Sequence, residues 1–129
     1  MRNITTHIIH CSDSSFGDAA IIRKWHLARG WRDIGYHFVI RADGEIEIGR
    51  TLECIGAHCK GNNSNSIGTC LIGKESFQQE QFAALKRLNN MLTNLFPDLI
   101  VMPHNHFNQN KTCPNFAISE VLSTSNNHK

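Results

Sequence analysis

Apolar residues fall along this chain in short runs with two distinct periods, and the runs predict its elements. Thr6-His7-Ile8-Ile9-His10 reads as a buried strand that delivers His10 at its C-terminal end, where open α/β sheets place their ligand sites. Successive strand side chains face opposite ways, so Cys11 is expected to point away from the site and to pack as a plain thiol. Asp18 is placed to cap a helix over residues 19–29, with Ile21, Ile22, Trp25 and Ala28 on its core face and Gly30 as its stop. Tyr36-His37-Phe38-Val39-Ile40 and Glu45-Ile46-Glu47-Ile48-Gly49 flank Ala42-Asp43-Gly44, and an Asp-Gly pair between alternating runs predicts a hairpin. His37 is then expected opposite Tyr36, in the core or behind the site.

Periodicity fails from Thr51 to Asn65, a loop long enough to suggest a substrate-lining role, and Ser66 to Gly73 resumes as a buried strand. Ser76 with Gln79 reads as a capping box, and Leu85, Leu88, Leu92 and Leu95 recur at helical spacing until Pro97 stops the helix. Leu99-Ile100-Val101-Met102 is a short strand ending where His104 begins. The tail from Asn115 is expected to hold one short helix and then to fray over residues 123–127. These elements predict an α/β fold: a single domain over residues 1–129, with a central mixed sheet of about five strands flanked by helices. The candidate site lies at the C-terminal ends of the strands.

Charge and cysteine content narrow the function classes. A net charge of +2, with scattered Lys and Arg and a pI near 8.4, lacks the basic patch expected of a nucleic-acid binder. No apolar run approaches a membrane span, and Met1 to His7 lacks the apolar core of a signal peptide, so synthesis in the cytoplasm without membrane insertion is expected. Five cysteines, at 11, 54, 59, 70 and 113, form an odd set without an export signal, which favours thiols over a disulfide framework. Cys54 and Cys59 are near enough in sequence to pair in an oxidising place.

The candidate chemistry concentrates in residues 104–114, where His104, His106, Lys111 and Cys113 fall together. His10 from the first strand, one of these histidines and Cys113 supply three zinc ligands and leave a fourth position open, the arithmetic of a catalytic site. Either His104 or His106 satisfies that count. His104-Asn105-His106 does not match a nuclease of the HNH type, whose motif letters are widely spaced, and Cys11 or Cys59 as the nucleophile of a Cys/His peptidase is the thiol-based alternative. His7, His26 and His128 carry no signal of their own.

Six strings in order along the chain resemble one family: Ile9-His10-Cys11-Ser12, Gly30-Trp31 with Gly35-Tyr36-His37-Phe38, Asp43-Gly44 with Gly49-Arg50, Gly56-Ala57-His58, Asn65-Ser66-Ile67-Gly68, and Lys111-Thr112-Cys113-Pro114. The chain resembles the zinc-dependent N-acetylmuramoyl-L-alanine amidases of the type-2 amidase and peptidoglycan-recognition-protein superfamily, in particular small phage endolysins of the T7 lysozyme type. The resemblance implies one Zn2+ per chain on His10, His104 and Cys113, with Tyr36 and Lys111 as catalytic residues. It also implies peptidoglycan as partner, hydrolysis of the amide between N-acetylmuramic acid and L-alanine, a monomer, and action on the cell wall in the periplasm as a phage or prophage lysis enzyme. His58, Asn63 and Asn65 are the expected substrate contacts. His104 lies nine residues before Cys113, one more than is usual in close relatives, which keeps His106 as a rival ligand. The alternative function is a peptidoglycan-binding module without hydrolysis, and the presence of Cys113 argues for the enzyme.

Overall fold

The computed structural model describes residues 2–123. Its first apolar run forms β1 (Thr6–Cys11), buried from His7 onward. The others form β2 (Phe38–Ile40), β3 (Ile46–Ile48), β4 (Ser66–Leu71) and β5 (Ile100–Pro103). They make a five-stranded sheet in the order β3-β2-β4-β1-β5, in which only the β2–β3 hairpin pair is antiparallel. The parallel strands β1 and β4 are covered on both faces, which is why both are buried along nearly their whole length and neither alternates apolar with polar positions. Gly44 closes the hairpin at φ +89, and a Cβ there would meet Glu80 at 2.8 Å, so the turn is open to glycine on both counts.

Helices cover the two faces. On one, α2 (Gln79–Leu95) packs Leu85, Leu88 and Leu92 against Ile9, Ile40, Ile67 and Leu71, and each such leucine contributes on the order of 2 kcal/mol through burial. On the other, α1 (Ala19–Ala28) packs Ile22 against Val39 and Cys70. The short helices α3 (His104–Phe107) and α4 (Ile118–Ser123) follow β5. The first of these was not expected from the sequence. Among the described residues, no helix is long and apolar enough to cross a membrane.

Several expectations need correction. Asp18 caps α1 as expected, its Oδ1 accepting from the Ile21 N–H at 2.9 Å, but Trp25 is 36% exposed, Ala28 is exposed, and the buried residues of the helix are Ile22 and His26. Trp25 instead sits at the margin, edge-on to Phe16. The capping box falls two residues later than expected, at Gln78 and Gln81. Gln81 is buried, accepts the Gln78 N–H at 2.8 Å and donates to the carbonyls of Ile72 and Ile40. One amide thus starts the helix and ties it to the sheet, which Gln79 cannot do from the exposed side. Leu95 is 60% exposed because the apolar stripe hands over to Phe96, which packs against the core cluster at the helix end. The expected fraying of the tail lies, apart from Ser123, outside the described residues, as does His128.

His7, silent in the sequence, is a buried link between three elements. Its Nδ1–H donates to Asn89 Oδ1 on α2 at 2.8 Å, and its Nε2 accepts from the Thr69 hydroxyl on β4 at 2.7 Å. Burial pushes His7 down to about 4 and His37 to about 4, against an ordinary 6.5, so both rings fold neutral. An unfolded chain protonates them first. Their stability contribution is therefore full above about pH 6.5 and drains as the pH falls towards 4, by about 1.4 kcal/mol per pH unit for each ring. Melts at pH 7 and pH 4.5 are expected to show this loss. His7→Gln should melt lower at pH 7 yet depend less steeply on pH, and an unchanged slope would remove His7 from the account.

Candidate active site

Register places the first two functional groups. Ile9 on β1 pairs with Pro103 on β5, so the next residue of each parallel strand, His10 and His104, leaves the sheet at the same edge. Their rings lie 4.4 Å apart, with His10 only 2% exposed. His106 is exposed, packs edge-on against Phe107 and takes no part in lining the cleft. His104, the named ligand, and its rival His106 are thus separated by the turn of α3.

The segment after α3 returns Cys113 to the same edge. The Asn105 N–H donates to the Cys113 carbonyl at 3.0 Å, the Asn105 side chain donates to the Thr112 carbonyl, and the Lys111 N–H donates to the Asn108 carbonyl. These bonds close the nine-residue step into a loop whose ends meet. Cys113 Sγ rests 2.7 Å from Cys11 Sγ. The Cys11 thiol and the His104 ring hold the Cys113 thiol below its usual range despite burial, whereas Cys11 is pushed up. Either sulfur can donate in this contact, and the Cys113 thiol also donates to the Cys11 carbonyl at 3.6 Å. Here Cys11 departs from expectation: it is packed, but it borders the cleft because residues 113–115 wrap onto its side of β1, where Asn115 also reaches its sulfur.

A cleft of about 850 Å³ opens over this edge, and Tyr36, His58, Asn63 and Lys111 line it with the two histidines and Cys113. The Tyr36 ring is 5.1 Å from that of His10, and burial, with the nearby thiols, pushes its hydroxyl well up, so it stays protonated. His58 comes from the 51–65 loop, and both its ring nitrogens are engaged, Nδ1 with His10 Nε2 at 2.9 Å and Nε2 with Ser66 Oγ at 3.2 Å. A Cβ at Gly68 would stand 2.5 Å from the His58 ring, so the strand glycine makes its seat. Asn63 Oδ1 accepts the N–H groups of both His58 and Cys59 at 2.9 Å, fixing the loop from within. Asn65 stands apart from the lining, its carbonyl holding the Thr5 and Thr6 N–H groups at the start of β1.

His37 lies behind the site as expected, Nδ1 accepting the Gly68 N–H and Nε2–H donating to the Cys54 carbonyl. His26 was missed. It lines the cleft, accepts the Gly35 N–H at 2.9 Å and faces Trp31. The available signal was its spacing of four residues from Ile22 on α1. All five cysteines are free thiols, Cys54 exposed and Cys59 buried.

Two imidazoles and a cysteine sulfur in one cleft suit a borderline-soft cation such as zinc. Among the described residues, no three His, Cys, Asp or Glu side chains are drawn into a formed cage, Cys113 being turned onto Cys11. The donor set fits the metal in kind and in shared position at the cleft.

Comparison with known proteins decides the family, because the model described as N-acetylmuramoyl-L-alanine amidase matches residues 1–116. The chain belongs to the N-acetylmuramoyl-L-alanine amidase family. The amidase is 37% identical over 127 residues to the endolysin of Enterobacteria phage K11, covering 90% of this chain and 83% of that one. It is 39% identical over 129 residues to the endolysin of Klebsiella phage KP32, covering 91% and 85%. Among solved structures, the N-acetylmuramoyl-L-alanine amidase LysC from Clostridium intestinale superposes with a TM-score of 0.90 at 30% identity, covering 97% of this chain and 87% of that one.

The double acceptor role of Asn63 sets an expectation for the loop. Asn63→Ala should lower stability by roughly 1–3 kcal/mol, since two part-buried N–H groups lose their acceptor. Hydrogen exchange at the His58 and Cys59 amides should speed up selectively, and uniform exchange across the 51–65 loop would show that Asn63 does not hold it.

Proposed function

We propose that the amidase hydrolyses the amide between N-acetylmuramic acid and the L-alanine of the peptidoglycan stem peptide, as an endolysin acting on the cell wall. In this proposal it acts as a monomer, with one zinc ion held by His10, His104 and Cys113. The observation that carries this reading is the convergence of the His10 and His104 imidazoles and the Cys113 sulfur at one strand edge, in a chain of this family. When bound, zinc supplies Lewis acidity towards water and the scissile carbonyl.

The chain's own residues supply the remaining chemistry. Lys111, exposed at the cleft two residues before Cys113, brings positive charge towards the oxygen that turns anionic as the amide is attacked. Tyr36 keeps its proton and donates a hydrogen bond to the same oxygen. His58 and Asn63 form a wall of the substrate groove, whereas Asn65, outside the lining, is not carried into it. Arg29, Lys60 and Lys111 face the cleft against one lining carboxylate, Asp13, which suits a stem peptide bearing carboxylates. A binding module without hydrolysis has no use for a cysteine beside the two histidines at this edge, so the enzyme is the better reading.

Mass spectrometry of peptidoglycan digested by zinc-loaded protein is expected to show sugar-free stem peptides with a new L-Ala amino terminus. Intact muropeptides after such a digest overturn the proposal. For the ligands, His10→Ala and Cys113→Ser should each lose zinc and activity, and His106→Ala should lose neither. Lys111→Ala should keep its zinc and slow turnover by about 10²–10³, the usual scale for removing one oxyanion partner. Full zinc content in Cys113→Ser would refute the ligand set.

A further inference from the structure

The contact between His10 and His58 constrains which nitrogen of His10 can serve a metal. Two neutral imidazoles 2.9 Å apart through Nε2 of His10 and Nδ1 of His58 share a single proton between those atoms. If His58 carries it, His10 must hold its own proton on Nδ1 and has no lone pair left for a cation. If His10 carries it, Nδ1 is bare, and His58 must hold its proton on Nε2. That second proton has an acceptor in place, Ser66 Oγ at 3.2 Å, on a residue with no exposure. The ring of His58 is also fixed in position. Gly68 leaves it a seat on β4, and its backbone N–H is held by Asn63.

Resting on the reading that His10 is a metal ligand, we propose that His58 is a positioning residue for the metal. It acts through the chain His10 Nε2–H to His58 Nδ1 and His58 Nε2–H to Ser66 Oγ, which selects the His10 tautomer with a free Nδ1. A ligand histidine is commonly oriented by a partner on its second nitrogen. An imidazole in that place orients the ligand without adding negative charge, so a zinc ion with one thiolate and two neutral rings keeps a net positive charge facing the substrate.

The test measures zinc affinity by competition with a chromophoric chelator in the full-length protein, for the wild type, His58→Ala, His58→Asn and Ser66→Ala. His58→Ala is expected to weaken zinc binding about 10–100-fold. His58→Asn, whose Oδ1 stands close to the place of Nδ1 and accepts the same N–H, should recover most of that loss, and Ser66→Ala should show a smaller weakening. The cobalt-substituted His58→Ala protein should have an altered d–d spectrum, with that of His58→Asn close to the wild type. Should His58→Ala fail to fold, the Asn and Ser66 variants carry the comparison. Unchanged affinity in a folded His58→Ala, or equal losses in the Ala and Asn variants, overturns the positioning role while leaving the ligand set standing. A wild-type chain that takes up no zinc overturns both.

Discussion

The parallel register of β1 against β5 is the constraint on which the site depends. With Ile9 opposite Pro103, the two strands release His10 and His104 side by side at one edge of the sheet. A slip of one residue would turn His10 towards α2 and bring Ile9 to the cleft, because strand side chains alternate. The same register seats β1 beside β4, His10 opposite Cys70 and Ile8 opposite Gly68, and so sets the floor on which His58 lies. The juxtaposition of these imidazoles is thus a by-product of core packing: the contacts of Ile9, Ile67 and Leu71 with α2 hold the strands in the register that brings the two rings together.

Histidine has two uses in this fold, separated by strand parity. His7 and His10 share β1, yet His7 turns towards α2 and is closed by Asn89 and Thr69, while His10 turns to the cleft and meets His58. Burial keeps both rings neutral, as it does His26, His37 and His58. Among the described residues, no buried side-chain nitrogen or oxygen lacks a partner, so this polar material is held in defined orientations. Neutral, oriented imidazoles are what metal ligation requires, since a protonated ring has no lone pair to offer.

The thiols complete the electrostatics. Cys11 and Cys113 meet sulfur to sulfur at the margin of the cleft, and the His104 ring and the Cys11 thiol both favour the ionised form of Cys113. Around Cys113 the cleft presents mainly cationic and neutral groups, with Asp13 as its one carboxylate. An oxygen that becomes negative during amide hydrolysis finds compensation there from Lys111 and Tyr36 in the proposed mechanism.

Much of this was legible in the chain. Short buried apolar runs, the alternating runs about the Asp43-Gly44 turn and the leucine repeat before Pro97 located the five strands and the long helix, because each reflects an interaction between near neighbours. Motif order pointed to the family, and His10, His104, Cys113, Tyr36 and Lys111 could be named as a set. What the sequence left open were matters of orientation over long separations: which imidazole after β5 faces inward, what Cys11 touches, and whether His58 meets substrate or another histidine. The same holds for Trp25 and Gln81, whose burial depends on where their helices cross the sheet and not on helical period. Sequence by itself determined the strands, the long helix and the family, and named the candidate metal ligands, since those follow from local pattern and chemical type. Only the tertiary structure decided their pairing, because the contacts of His10 with His58, of Cys11 with Cys113 and of His7 with Asn89 join residues 48, 102 and 82 positions apart, brought together by sheet register and packing.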